Sequence, residues 1–159
     1  MTLWQDAIER YHGKGVLVDA NLLLLYFVGR YDRDRIARFK RTNKYSVEAF
    51  DVLARFLCLF STVVTTPNIL TEVSNLSKKQ LPPDYYDEFK QQLLVMEERY
   101  VPSRSVHQSE HFQQFGLTDS IIVELARNQY LVLTDDLDLF TLLLRHNIDV
   151  VNFNHILYQ

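Results

Sequence analysis

One cysteine, four glycines and four prolines in 159 residues exclude several ways of building a functional chain. With Cys58 as the single thiol, set in an apolar helical stretch, there is no disulfide framework and no thiolate cluster for a metal. The glycines are too few and too scattered for a GxGxxG fingerprint or a phosphate-cradling loop, which disfavours nucleotide cofactors. Long apolar runs are missing too. The longest, Leu22 to Val28, is about two helical turns, far short of the roughly 20 residues of a membrane span, so no membrane partner is expected. The segment Met1 to Arg10 lacks a basic region followed by an apolar core. It carries acids in an amphipathic pattern, which reads as a helix at about residues 3–12 and not as a signal peptide; a cytoplasmic protein is the expectation.

Positive charge is not in excess either, since the net charge is −3, which at first argues against a nucleic-acid partner. The distribution is more informative. Between Arg30 and Lys44 stand Arg30, Arg33, Arg35, Arg38, Lys40, Arg41 and Lys44 against Asp32 and Asp34, a local balance of +5 that leaves −8 for the rest. A solvated surface explains such a cluster, and so does a basic flank that guides a polyanion toward an acidic hollow; on the second reading Arg30, Arg33, Arg35, Arg38, Lys40 and Arg41 contact RNA.

What the chain has in plenty is apolar and aromatic surface, 47% apolar residues with ten Phe and nine Tyr, enough for one well-buried core in a single domain spanning residues 1–159. Short apolar runs at 16–18, 62–65, 130–134 and 148–152 alternate with helical patterns. Helices are expected over about 21–29, 46–59, from Pro67 to about Lys78, 84–99, 105–115, 119–128 and 137–146. Strands separated by helices mark βαβ units. The fold class is therefore α/β, an α/β/α sandwich around a central parallel sheet of four to five strands, Rossmann-like in its layering.

In such a sheet, ligands bind beyond the carboxyl ends of the strands. Four acids fall at or near those places. Asp19 follows Val16-Leu17-Val18, Asp136 follows Leu131-Val132-Leu133-Thr134-Asp135, Asp119 opens the helix before that strand, and Glu72 stands on the helix begun by Thr66-Pro67. Each has a plain structural explanation: an N-cap for Asp19 and for one acid of the 135–138 group, a favourable helix-dipole position for Asp119. Glu72 has Ile69, Val73 and Leu76 as helical neighbours and is expected on their apolar face, where an unpaired carboxylate is costly and needs a cation. Acids converging on one crevice repel one another unless a hard divalent ion with oxygen ligands lies between them. The histidines fit less well; His107 and His111 share helical spacing, but no other zinc ligand accompanies them.

Four segments resemble, in order, the motifs of the PIN domain, a small metal-dependent ribonuclease fold: Val16 to Asn21, Thr66 to Val73, Gly116 to Ile122 and Leu131 to Phe140. The resemblance implies an endoribonuclease that hydrolyses RNA phosphodiesters with Mg²⁺ or Mn²⁺, leaving a 5′-phosphate and a 3′-hydroxyl. Asp19, Glu72, Asp119 and Asp136 match the catalytic acids. Asp19, Asp119, Asp136 and, as a fifth acid, Asp138 would hold metal, Glu72 would orient water, and Asn21 and Thr134 would support the acids. A small antitoxin protein and a homodimer are partners that the family includes. The extra N-terminal helix and the longer spacers around Glu72 depart from its compact toxin members. An aspartyl-phosphate phosphatase would need an acid where Asn21 stands. The remaining alternative is a PIN-like module that binds RNA or protein without cutting.

Overall fold

The computed structural model describes residues 3–159; Met1 and Thr2, included above in the first helical pattern, lie outside them. In chain order the elements are α1 (Leu3–Tyr11), β1 (Val16–Val18), α2 (Ala20–Tyr31), α3 (Arg35–Arg38), α4 (Val47–Leu57), β2 (Val63–Thr65), α5 (Pro67–Ser77), α6 (Tyr85–Val95), β3 (Glu97–Glu98), a 3-10 turn (Ser103–Val106), α7 (Phe112–Ala126), β4 (Leu131–Thr134), α8 (Leu137–Arg145), β5 (Val150–Asn152) and α9 (Phe153–Leu157). The five strands form one all-parallel sheet in the order β3-β2-β1-β4-β5, flanked by helices as an α/β/α sandwich. Among the described residues no helix is long and apolar enough to cross a membrane.

Strand order sets where a ligand can enter. After β1 the chain builds outward through β2 and β3, then returns to the other side of β1 for β4 and β5. The reversal opens a crevice between the carboxyl ends of β1 and β4. Both strands are wholly buried, as expected of apolar strands covered on both faces.

Helix starts follow the chemistry of their caps. Ser46 accepts the Ala49 N–H at 3.0 Å and Thr66 accepts the Ile69 N–H at 3.2 Å, with Pro67 in the first turn where a missing N–H costs nothing.

Two expected helices are corrected. The one set at 84–99 stops at Val95, because Glu97 and Glu98 pair with Val64 and Thr65 as the edge strand β3 and the Arg99 N–H reaches the Thr65 carbonyl at 2.9 Å. Its buried residues are Tyr85, Phe89 and Gln92, and Leu93 and Leu94 are exposed. The segment 105–115 is no single helix: the 3-10 turn ends at Val106 and α7 begins at Phe112. Gly116, at φ 83° and ψ −176°, breaks α7 after its first turn, a conformation that glycine adopts without a Cβ penalty. The helix bearing Asp119 ends at Ala126, two residues before Asn128 takes a left-handed φ of 59°.

Gly29 lies where α2 and α4 pack together. A Cβ there would sit 2.6 Å from Phe50 Cγ, at the root of the ring, where turning the ring gives no relief. Gly29→Ala gains about 1 kcal/mol of helix propensity, while overpacking a core costs about 1–3 kcal/mol. The variant should lower the denaturation midpoint, and pairing it with Phe50→Leu should recover part of the loss; a midpoint at or above that of the parent chain would refute this packing.

Candidate metal centre

Asp19 leaves the end of β1 and caps α2, its Oδ1 accepting the Leu22 N–H at 3.2 Å. The Thr134 hydroxyl, from the end of β4, donates to its Oδ2. The same hydroxyl accepts the Asp136 N–H at 3.0 Å. Asp136 in turn caps α8, Oδ1 taking the N–H groups of Asp138 at 2.8 Å and Leu139 at 3.1 Å. The capping explanation holds for both acids, and both also face one hollow. Thr134 lies fully buried beneath it.

That hollow, about 230 Å³, is lined by Asp19, Asn21, Glu72, Thr118, Asp119 and Asp136, with apolar walls that include Ile122 and Leu139. Four carboxylates from four separate segments meet there, and no Lys, Arg or His is in the lining. Glu72 is corrected in one respect. It is exposed at the rim instead of buried among apolar neighbours, and its partner is the Thr118 hydroxyl, which donates to Oε1 at 2.6 Å. A helix places Glu72 beside Ile69 and Val73 in sequence, but those two side chains turn inward while the carboxylate faces the cavity mouth. Asp138 does not line the hollow; it is exposed on the first turn of α8.

Electrostatics follow from this crowding. Burial, with the neighbouring charges of Asp135 and Asp119, pushes the Asp19 carboxyl up to about 7, against the hydrogen bonds from Thr134 and Leu22 that pull it down. Burial, then Asp136 and Glu72, likewise raises Asp119 to about 7. Among the described residues no group of three or more His, Cys, Asp or Glu side chains stands in an arrangement that holds a metal as it lies. The donor chemistry nonetheless fits a hard divalent cation, because the lining offers carboxylate, amide and hydroxyl oxygens and no competing positive side chain.

Three contributors escaped the sequence reading: Tyr45, Lys44 and Thr118. Tyr45 donates its hydroxyl to Asp135, and Lys44 approaches the same carboxylate at 3.5 Å, so the end of the basic segment is tied to the flank of the acidic site across 90 residues of chain. Burial, then Asp135, raises the Tyr45 phenol, keeping its donor proton in place. Thr118 stands beside Asp119 inside a segment already singled out, so its proximity was the available signal.

The basic flank is mostly self-neutralised. Arg30 pairs with Glu88 at 2.8 Å, Arg33 with Asp51 at 3.0 Å, and Arg35 and Arg38 share Asp32 at 4.0 and 3.5 Å. Of the proposed RNA contacts, Lys40 and Arg41 alone are exposed without a partner among the described residues. His107 and His111 flank the turn between the 3-10 turn and α7, as the cap of one and of the other, so they do not share a helix face. His111 instead packs edge-on against His146, centroids 5.1 Å apart.

Because both raised carboxyls hold their protons longer in the folded than in the unfolded chain, the stability they contribute is full below about pH 4 and is lost as pH rises through 7. Thermal melts in chelator should therefore fall between about pH 5 and about pH 8, with a shallower fall in Asp19→Asn. An unchanged slope in that variant would remove Asp19 as the source.

No protein-family model, curated protein or solved structure matches the chain.

Proposed function

We propose that the chain is a PIN-like, divalent-metal-dependent endoribonuclease. The observation that carries this reading is the convergence of Asp19, Glu72, Asp119 and Asp136 on one hollow at the sheet's reversal point, without a cationic side chain in the lining. Burial and neighbouring carboxylates raise the proton affinity of Asp19 and Asp119, which is poorly explained as a structural device, whereas a reaction that needs oxygen ligands and a negatively charged lining gives the four acids a common role.

Asp19, Asp119 and Asp136 would hold Mg²⁺ or Mn²⁺, with Asn21 at the same wall. A bound ion supplies an acidified water and neutralises charge that develops on the phosphate. The chain's own residues supply orientation. Thr134 fixes Asp19 and the Asp136 backbone together, Leu22 N–H holds the second Asp19 oxygen, and Thr118 steadies Glu72, which would orient the attacking water. Lys40 and Arg41 supply unpaired charge for the RNA backbone, while the remaining arginines are available only by exchanging weak surface pairs, typically worth about 0–1 kcal/mol each. A toxin role would add a small antitoxin as a partner, and an adjacent reading frame for one would support it.

The direct test is incubation with a mixed RNA pool in Mn²⁺, Mg²⁺ or chelator. Cleavage should require the ion and yield 5′-phosphate ends. Asp19→Asn should reduce it by at least about a hundredfold, the scale of losing a charge-stabilising group at a reaction centre. Because asparagine caps a helix as well as aspartate does, a cooperative melting transition should persist, with only the altered pH dependence given above. Full cleavage by that variant rejects the assignment, and RNA retention without cleavage in either ion transfers the chain to the binding-module alternative. Lys40→Glu with Arg41→Glu should weaken RNA binding and flatten its salt dependence by about two counterions, whereas Arg33→Glu should do less. Equal effects would remove the distinction drawn between free and paired cations.

A further inference from the structure

A second recess, of about 450 Å³, runs along the outer edge of β5. Its floor is residues 148–152; Trp4 and Ala7 of α1 form one wall, Phe140 and Leu144 of α8 the other. It has no part in the acidic centre. β5 is an edge strand, bonded to β4 alone.

The register decides which backbone groups are free. Val132 faces Val150, and the Val132 N–H donates to the Asp149 carbonyl at 3.2 Å. In a parallel ladder that phase turns the Val151 N–H and carbonyl toward β4 and leaves the Val150 N–H and carbonyl, and the Asn152 N–H, pointing away from it. An edge with unpaired groups is a template for another strand. The side chains that usually discourage such pairing are absent from Val150, Val151 and Asn152. Asp149, at the start, is held by Arg10 at 2.8 Å and the Tyr11 hydroxyl at 2.7 Å.

Shape and charge select the occupant. Ile148, Val151 and Asn152 are buried and Val150 is half-buried, while the rim residues Asp6, Arg10 and Leu144 are exposed. With α1 and α8 residues lining both sides of the edge, two copies would bring those walls together before their strands, which favours a single extended segment over a second copy. Five floor residues span about 16 Å at about 3.3 Å each, room for a similar length of chain. The Asp6 carboxylate on the rim has no partner among the described residues, the other acid of the lining, Asp149, is already neutralised by Arg10, and the remaining ionisable residue there, His155, stacks edge-on against Phe140.

We propose that this groove receives an extended segment of a partner protein, which adds to β5 as a sixth strand, sets alternate apolar side chains against the Phe140–Leu144 and Trp4–Ala7 walls, and faces Asp6 with a lysine or arginine. Main-chain bonds would give affinity and the walls selectivity, as in other strand-addition sites.

The probe is an end-blocked peptide of about ten residues alternating valine and threonine, with one central lysine, titrated into the ¹⁵N-labelled full chain. Saturable shifts should centre on the Val150 and Asn152 amides, and exchange of the Val150 amide should slow by about tenfold at saturation, the change expected when about 1.4 kcal/mol of pairing protects it. Replacing the peptide lysine by glutamate should weaken binding by about threefold, the scale of an exposed ion pair, and Asp6→Asn should abolish that difference. Leu144→Glu, at an exposed position, should weaken binding without moving the melting curve. The idea fails if a peptide N-methylated at alternate amides binds equally well, since then an apolar ligand and not a strand fits the recess. It fails as well if shifts lie elsewhere or do not saturate by millimolar peptide, or if Val150 protection grows with protein concentration alone, which would assign the edge to a second copy.

Discussion

The hydrogen bond from the Thr134 hydroxyl to the Asp19 carboxylate joins the ends of β1 and β4 at the place where the sheet reverses its direction of growth. Around that bond the geometry of the acidic hollow is determined. Asp19 starts α2, Thr134 holds the backbone of Asp136, and Asp136 starts α8, so two helices that flank the crevice take their origin from one short chain of hydrogen bonds. Burying a carboxylate is costly unless its oxygens are satisfied, and here each Asp19 oxygen has a donor. The residual cost is visible in its raised proton affinity.

Charge in this protein is sorted on two scales. The Arg30–Lys44 stretch is strongly basic along the sequence, but in space most of its cations face acids from its own turn, from α4 or from α6. The acidic hollow is the reverse case. Its members are scattered over more than a hundred residues of chain and are brought together by the fold without a compensating base among the lining. Local composition therefore overstated the free positive charge and understated the negative charge.

The sandwich, four of its five strands and the starts of α2, α4 and α5 were legible because each rests on a local signal: apolar runs for buried strands, and Asp19, Ser46 and Thr66-Pro67 for helix starts. The convergence of Asp19, Glu72, Asp119 and Asp136 was legible through their strand ends and helix positions. What escaped depends on partners far along the chain. Two consecutive glutamates look like a polar helix face until β2 is placed beside them. The inward side of α6 is fixed by packing around Tyr85 and Ser77, whose hydroxyls lie 2.9 Å apart, and not by periodicity alone. Glu72 shared an apolar neighbourhood in sequence yet faces the cavity mouth, and Tyr45 announces nothing about Asp135.

The pairing of Asp19 and Asp119 at about 7 carries a consequence for the solution around the protein. Near neutrality the hollow keeps part of the proton load that ordinary carboxyls would have shed, and on the proposed function a divalent ion taking those oxygens would expel it. Loading would then acidify an unbuffered medium and tighten as the medium becomes more alkaline. The hollow would thus exchange one kind of positive charge for another, with the surrounding acidity setting the balance between them.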